Sequence, residues 1–185
     1  MTAAPAARTA PVPAQTGVVI GIAAITMTFA AFTSALVMRK GGAPDWTHFQ
    51  LPRLLFANTA VLLASSGTLE VARRRLRAGT PGGNTWLSVT LALGMLFVAG
   101  QVAAWRDLAA QGLFLATGPS AAFFYVLTAA HAVHVMGGVI ALAYVRSRVR
   151  RASAPPLGAV GAVTTYWHFM DALWLYLFLL LKVSV

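Results

Sequence analysis

The sequence predicts an all-α integral membrane bundle of five transmembrane helices, with the N-terminus in the cytoplasm and the C-terminus outside. Three observations predict it. The 185 residues are 58% hydrophobic and 10% charged, with a mean hydropathy of +0.73, far more apolar than an ordinary soluble domain. Apolar runs near the ~20 residues that a helix needs to cross the hydrocarbon core recur along the chain. Alternating strand patterns are absent, and a helix satisfies its own backbone where no water can.

The elements follow in order. Residues 1–16 are rich in Ala and Pro with one basic residue, Arg8, and are expected to form a flexible tail. The first span, 17–38, is longer than the ~7–15-residue apolar region of a signal peptide and ends in Arg39-Lys40, so it is expected to be a retained helix. The second span covers 51–72, with Arg53 snorkelling at its start. The third covers 84–105, the fourth 121–145 and the fifth 160–181. Pro44, Pro81, Pro119, Pro155 and Pro156 all fall between spans, where a helix can stop without damage. Residues 17–185 therefore read as a single membrane domain with no internal repeat.

The net charge of +10 would suggest nucleic acid in a soluble protein. Here the basic residues cluster at the ends of apolar runs without a folded soluble platform, which argues for topology and against nucleic-acid binding. One side collects Arg8, Arg73, Arg74, Arg75, Arg77, Arg146, Arg148, Arg150 and Arg151, nine in all; the other has Arg39, Lys40, Arg53, Arg106 and Lys182, five. The richer side is expected to be cytoplasmic. With no cysteine, the chain offers no disulfide, iron–sulfur ligand or thiolate copper ligand.

Polar residues inside the spans fall at helical spacing. Thr59, Ser66 and Glu70 share a stripe of the second span, with Asn58 and Ser65 beside it; Thr90, Gly94 and Gln101 line up in the third. Glu70 can pair with Arg73 or Arg74 at the interface, or face another helix as a buried acid. The fourth span presents Thr128, His131, His134 and Gly138 on one broad face. The fifth presents Gly161, Thr164, His168 and Asp171. An Asp three residues from a His can fix the imidazole tautomer or reach another helix. The aromatics Tyr166, Trp167, Trp174 and Tyr176 suit packing or an interfacial belt.

These clusters also admit sharper readings. His131 and His134 at i,i+3 would need further ligands to form a metal site, and structural zinc usually wants four. Two histidines on different helices can clamp a b-type haem. His134 and His168 lie at comparable depths, about 16 and 12 Å from the cytoplasmic helix ends at 1.5 Å per residue, so a small b-haem membrane cytochrome stays open. A proton-coupled transporter using Glu70 and Asp171 is weakened by the absence of a repeat and of broken helices.

Three motifs together carry a family resemblance: Asn58-Thr59-Ala60-Val61-Leu62-Leu63-Ala64-Ser65-Ser66, His131-Ala132-Val133-His134-Val135-Met136-Gly137-Gly138, and Tyr166-Trp167-His168-Phe169-Met170-Asp171. In this order on the second, fourth and fifth spans, they resemble subunit III of the haem-copper terminal oxidases, in the short five-helix bacterial form, over residues 17–183. The resemblance implies a non-redox subunit of a proton-translocating cytochrome c oxidase in a bacterial plasma membrane. Such a subunit packs on the catalytic subunit I, encloses phospholipid and sustains proton uptake. Haem and copper would belong to subunit I and the copper-bearing subunit II, and this chain would hold no cofactor, metal or catalytic residue. The inventory agrees, since four histidines and no cysteine suit neither of those neighbours. The equivalent subunit of a quinol oxidase or of a nitric-oxide-reductase-associated complex shares the same motifs. By the same resemblance His131, His134, His168 and Asp171 become interhelical hydrogen-bonding positions and Trp167 and Trp174 helix-packing or lipid-contact positions; Glu70, from its own place in the second span, joins them as a candidate polar or partner contact. One departure is visible: many members carry a glutamate mid-way along the helix equivalent to the first span, where this chain reads Ala23-Ala24-Ile25-Thr26-Met27.

Overall fold

The computed structural model describes residues 13–42 and 44–184, and among them it contains five helices and no strand. They are α1 (Pro13–Gly42), α2 (Leu54–Arg77), α3 (Gly83–Ala110), α4 (Pro119–Arg151) and α5 (Leu157–Ser184). All five are long and apolar enough to cross a membrane. At 24 to 33 residues they run about 36–50 Å at 1.5 Å per residue. They therefore outreach the ~30 Å hydrocarbon core and carry Arg73–Arg77 and Arg146–Arg151 on helix ends, where cations also suit the helix dipole.

Every helix extends past at least one end of its expected span, and two starts differ in an instructive way. Residues 13–16, expected in the tail, are helical; the remainder of that tail lies outside the described residues. The second helix begins at Leu54, three residues later than expected. Pro52 has no N–H to give, so its carbonyl starts the helix through a tight turn, accepting from the Leu55 N–H at 3.0 Å. Arg53 is thereby the exposed flanking residue of α2.

The turn between α2 and α3 is set by glycine. Gly79 (φ +65°) takes the left-handed conformation just past the end of α2. The Thr80 N–H then reaches the Arg75 carbonyl at 3.0 Å and the Gly79 N–H the Leu76 carbonyl at 3.4 Å, the two bonds of a Schellman cap. Gly82 (φ +91°) aims the chain back into α3. The result is a tight antiparallel pair, and α2 with α3 is the most extensive helix–helix contact of the chain.

The helices pack as a ring of four, α2 against α3, α3 against α4, α4 against α5 and α5 back against α2, while α1 lies outside on α5 and α4. The core of this ring contains Leu62, Leu69, Phe97, Leu127, Trp167 and Trp174, all essentially inaccessible. Two glycines permit the close approach. A Cβ at Gly94 would stand 2.7 Å from the Trp167 ring, and one at Gly100 would collide with the Asn58 amide. Small residues at helix crossings are how membrane bundles gain dispersion contact when lipid removes the hydrophobic drive.

Candidate functional site

The residues singled out by the sequence converge on the seam between α2 and α5. Trp167 and Trp174, seven residues apart, lie on one face of α5. Antiparallel to them, α2 presents Ser65 and Thr59. The Trp167 indole N–H donates to Ser65 Oγ at 3.0 Å, and the Trp174 N–H donates to Thr59 Oγ1 at 3.0 Å. A buried indole needs such an acceptor, and in hydrocarbon no water supplies one. His168 Nδ1 meets the Ser66 hydroxyl, one residue on from the Trp167–Ser65 pair on each helix. Three adjacent polar pairs thus cross from α5 to α2.

The other walls of the ring use the same device. Asn58 Nδ2 donates to the Phe97 carbonyl at 3.0 Å, and Thr68 pairs with Thr90 at 2.9 Å, both joining α2 to α3. The Trp105 N–H donates to Thr128 at 3.0 Å and Arg146 Nε donates to Ser88 at 2.7 Å, joining α3 to α4. The Tyr166 hydroxyl donates to the His134 carbonyl at 2.9 Å, joining α5 to α4. The bonds of Trp105 and Arg146 were not expected from the sequence; each residue sits near a helix end, where an interfacial reading competes. At the far end, Trp46 Nε1 and Lys40 Nζ donate to the carbonyls of Ser184 and Val183, closing the α1–α2 loop over the last turn of α5.

The two histidines of the fourth helix separate. His131 is fully buried, its ring 5.1 Å from that of Trp174 and 6.0 Å from that of Phe97. Neither ring nitrogen finds a hydrogen-bond partner among the described residues. His134 turns outward: its Nδ1 lies 2.7 Å from the Ala130 carbonyl of its own helix, and its ring packs edge-on against Phe29 of α1 at 5.8 Å. Hence the face expected to hold both residues does not present them together.

Asp171 and Gln101 are also buried without partners for their side-chain polar atoms, and the expected use of Asp171 to orient His168 is not seen. Glu70 is in an ion-pair cluster at the end of α2, with Arg73 Nε at 2.7 Å and Arg74 Nε at 2.9 Å. Of its two open readings, the interfacial pair is the one the geometry takes.

A haem clamped between helices needs two histidine nitrogens facing one gap. His131 is instead packed against aromatic rings, and one nitrogen of each of His134 and His168 is already engaged. Among the described residues no group of three or more His, Cys, Asp or Glu side chains is placed to hold a metal ion.

Comparison with known proteins decides the family. A family model described as "Cytochrome c oxidase subunit III" matches residues 15–183. The chain belongs to the cytochrome c oxidase subunit III family. It is similar to the "Probable cytochrome c oxidase subunit 3" of Nocardia farcinica, 32% identical over 170 residues, which cover 88% of this chain and 83% of that one. It is also 30% identical to the "Cytochrome c oxidase subunit 3" of Synechocystis, over 89% of this chain and 72% of the relative. A third relative, from Thermostichus vulcanus and bearing the same description, is 32% identical over 84% of this chain and 77% of its own. The match begins with α1 and ends with α5, so the resemblance carried by three short motifs extends to the whole bundle. The chain is accordingly a multi-pass membrane subunit of an oxidase complex, and the b-type cytochrome reading is not favoured.

Proposed function

We propose that this oxidase subunit carries no redox centre and works by holding together what surrounds it. In this reading it packs against the catalytic subunit I beside the copper-bearing subunit II, which keep the haem and copper. It retains phospholipid at its apolar grooves and helps sustain proton uptake during oxygen reduction. The arginine-rich helix ends would face the cytoplasm of a bacterial plasma membrane, placing the N-terminus inside and the C-terminus outside.

The observation that supports this is how the motif residues are used. Trp167, His168 and Trp174 direct their polar atoms across the α2–α5 seam, where they tie helix to helix. Each such bond in a membrane contributes roughly 0.6 kcal/mol, up to about 2, which is a contribution to assembly. The remaining site positions, Glu70, His131, His134 and Asp171, belong to the same reading as intrachain or partner-contact groups.

Affinity purification of the tagged chain from native membranes in mild detergent tests it. Co-purification of a large multi-histidine membrane subunit and a cupredoxin-like partner is the expected result. Recovery of the chain alone and coloured would sink the proposal.

A further inference from the structure

His168 is an exposed side chain, and its exposure falls within the span of the membrane. It lies about 4 Å from the midpoint of α5 at 1.5 Å per residue, and its partner Ser66 sits at the midpoint of α2. What surrounds it at that depth is lipid or protein, since the hydrocarbon core holds no water. Helix α5 meets α2 through Trp167 and Trp174 and α1 through Tyr176, while α1 and α2 make no contact among the described residues. Between those contacts α5 presents His168, Leu175 and Leu179 as one exposed stripe at helical spacing. Beside it α2 exposes Leu63 and Gly67, on either side of Ser66 in the sequence.

Two features of this face call for protein rather than lipid. The first is the imidazole. Its Nδ1 meets Ser66, but its Nε2 has no hydrogen-bond partner among the described residues. Ionisable groups at such depth almost always turn inward or find a partner, and acyl chains offer none. The exposed hydroxyls near the same depth behave otherwise. Thr26, Thr28 and Thr165 each donate to a carbonyl of their own helix, and Tyr176 donates to Thr33. The second feature is Gly67. A glycine inside a helix weakens it relative to alanine, and a Cβ there would meet nothing within 4 Å. Gly94 and Gly100 are held small by neighbours within this chain, and Gly67 is not. A bare backbone at mid-membrane is what lets a second helix pack closely.

We propose that the α2–α5 face centred on His168 and Gly67 is a subunit interface. It receives a transmembrane helix of another subunit of the oxidase, which brings a hydroxyl, amide or carboxyl group to His168 Nε2 and packs its backbone over Gly67. A phospholipid cannot take that place, because its polar groups lie at the two surfaces, about 15 Å from the middle of the core. A second copy of this chain is a poor match, since its own exposed hydroxyls at that depth are already engaged. The proposal rests on the chain's supporting role in the oxidase and names the face that role uses.

Photo-crosslinking in native membranes, before any detergent is added, tests it. A benzophenone side chain is placed at Leu175 or at Leu63, and the adducts are mapped by mass spectrometry. The expected adduct is an apolar segment of another subunit that also co-purifies with the tagged chain. Adducts to lipid alone, to a second copy of this chain, or to a protein that does not co-purify overturn the proposal. Gly67→Leu supplies an independent readout. Nothing in this chain opposes the new side chain, so the unfolding midpoint of the isolated chain should hold or rise. Retention of the neighbouring subunit in a detergent titration should fall roughly tenfold, as for an overpacked contact. His168→Leu should lower retention roughly 3-fold, the scale of one membrane hydrogen bond, and His168→Gln should recover it. Full retention in Gly67→Leu overturns the interface. Co-purification of the oxidase with lipid-only adducts would leave the supporting role standing and remove this face from it.

Discussion

The two sides of α5 are built differently. Against α2 it places Trp167, His168 and Trp174, each with one ring nitrogen meeting a hydroxyl of α2, beside a core that is essentially inaccessible. Against α1 its polar bonds among the described residues are two, from the Tyr176 hydroxyl to Thr33 Oγ1 at 3.0 Å and, at the far helix ends, from Lys40 Nζ to the Val183 carbonyl at 2.9 Å. Of the most apolar window of each helix, half of α5 is buried and only 11% of α1. Ile25, Phe29 and Leu36 are the residues of α1 in the buried core, and Val19, Ile20, Met27, Val37 and Met38 are exposed. The ring α2–α5 is a self-contained bundle, whereas α1 is a buttress whose outer face still has lipid or protein to meet. The difference teaches that the family motifs mark the inner seam, where the fold is over-determined.

The largest expected effect follows from removing an aromatic from that seam. Trp174→Ala empties a fully buried site, removes the indole bond to Thr59 Oγ1 and removes the ring that packs on His131. A loss of about 3–5 kcal/mol is expected, read as a lower unfolding midpoint of the chain in detergent and reduced yield in membranes. A change within 1 kcal/mol would show that the two sides of α5 are equivalent after all.

Next comes the crossing of α3 over Trp167. Gly94→Val puts a branched side chain where even a Cβ would sit 2.7 Å from the indole and 3.4 Å from Val139. Overpacking of this kind costs roughly 1–3 kcal/mol. Because the indole is rigid, its N–H bond to Ser65 should weaken as well, seen as a red shift or quenching of Trp fluorescence. An unaltered spectrum with full stability would mean that α3 can slide away without cost.

How much of this was visible in the sequence depends on which residues are considered. Length and hydropathy sufficed for five helices, since lipid leaves the backbone no other economical form. The stripe of Asn58, Thr59, Ser65 and Ser66 could be read because it repeats at helical spacing, and the structure puts all four against α3 or α5. The helix ends could not: residues 13–16 and the stretch beyond Trp105 are polar or small enough to read as loop, yet they remain helical where water begins. Nor could the fates of His131 and His134 be told apart. Three residues on a helix turn a side chain by about 300°, and whether that leads inward or toward α1 is settled only by where α1 packs.

Across the looser seam the effect should be small. Tyr176→Phe removes the bond between side chains that joins α5 to α1 and leaves both the ring and the Lys40–Val183 bond in place. About 0.6 kcal/mol is expected, the average for such bonds in a membrane. A proteolysis or accessibility assay should still register earlier detachment of α1 with the ring of four intact. Loss of the whole bundle would contradict the buttress description and make α1 part of the core.

The smallest effect is expected at the end of α2. Glu70 accepts from Arg73 and Arg74 of its own helix, at i,i+3 and i,i+4, and its side chain is 24% accessible while that of Arg74 is 77%. Pairs this open to water are worth between nothing and about 1 kcal/mol, and they tie no second helix. Glu70→Gln should therefore shift the unfolding midpoint by at most that amount, and the shift should shrink as salt is added. It should also leave the hydrogen bonds of the α2–α5 seam in place, because those of Glu70 go to arginines of its own helix. A loss above about 2 kcal/mol that persists in high salt would be the signature of a buried charge. In that case Glu70 would join the seam, and its ion pair with Arg73 would have to be read as one wall of a contact with another subunit.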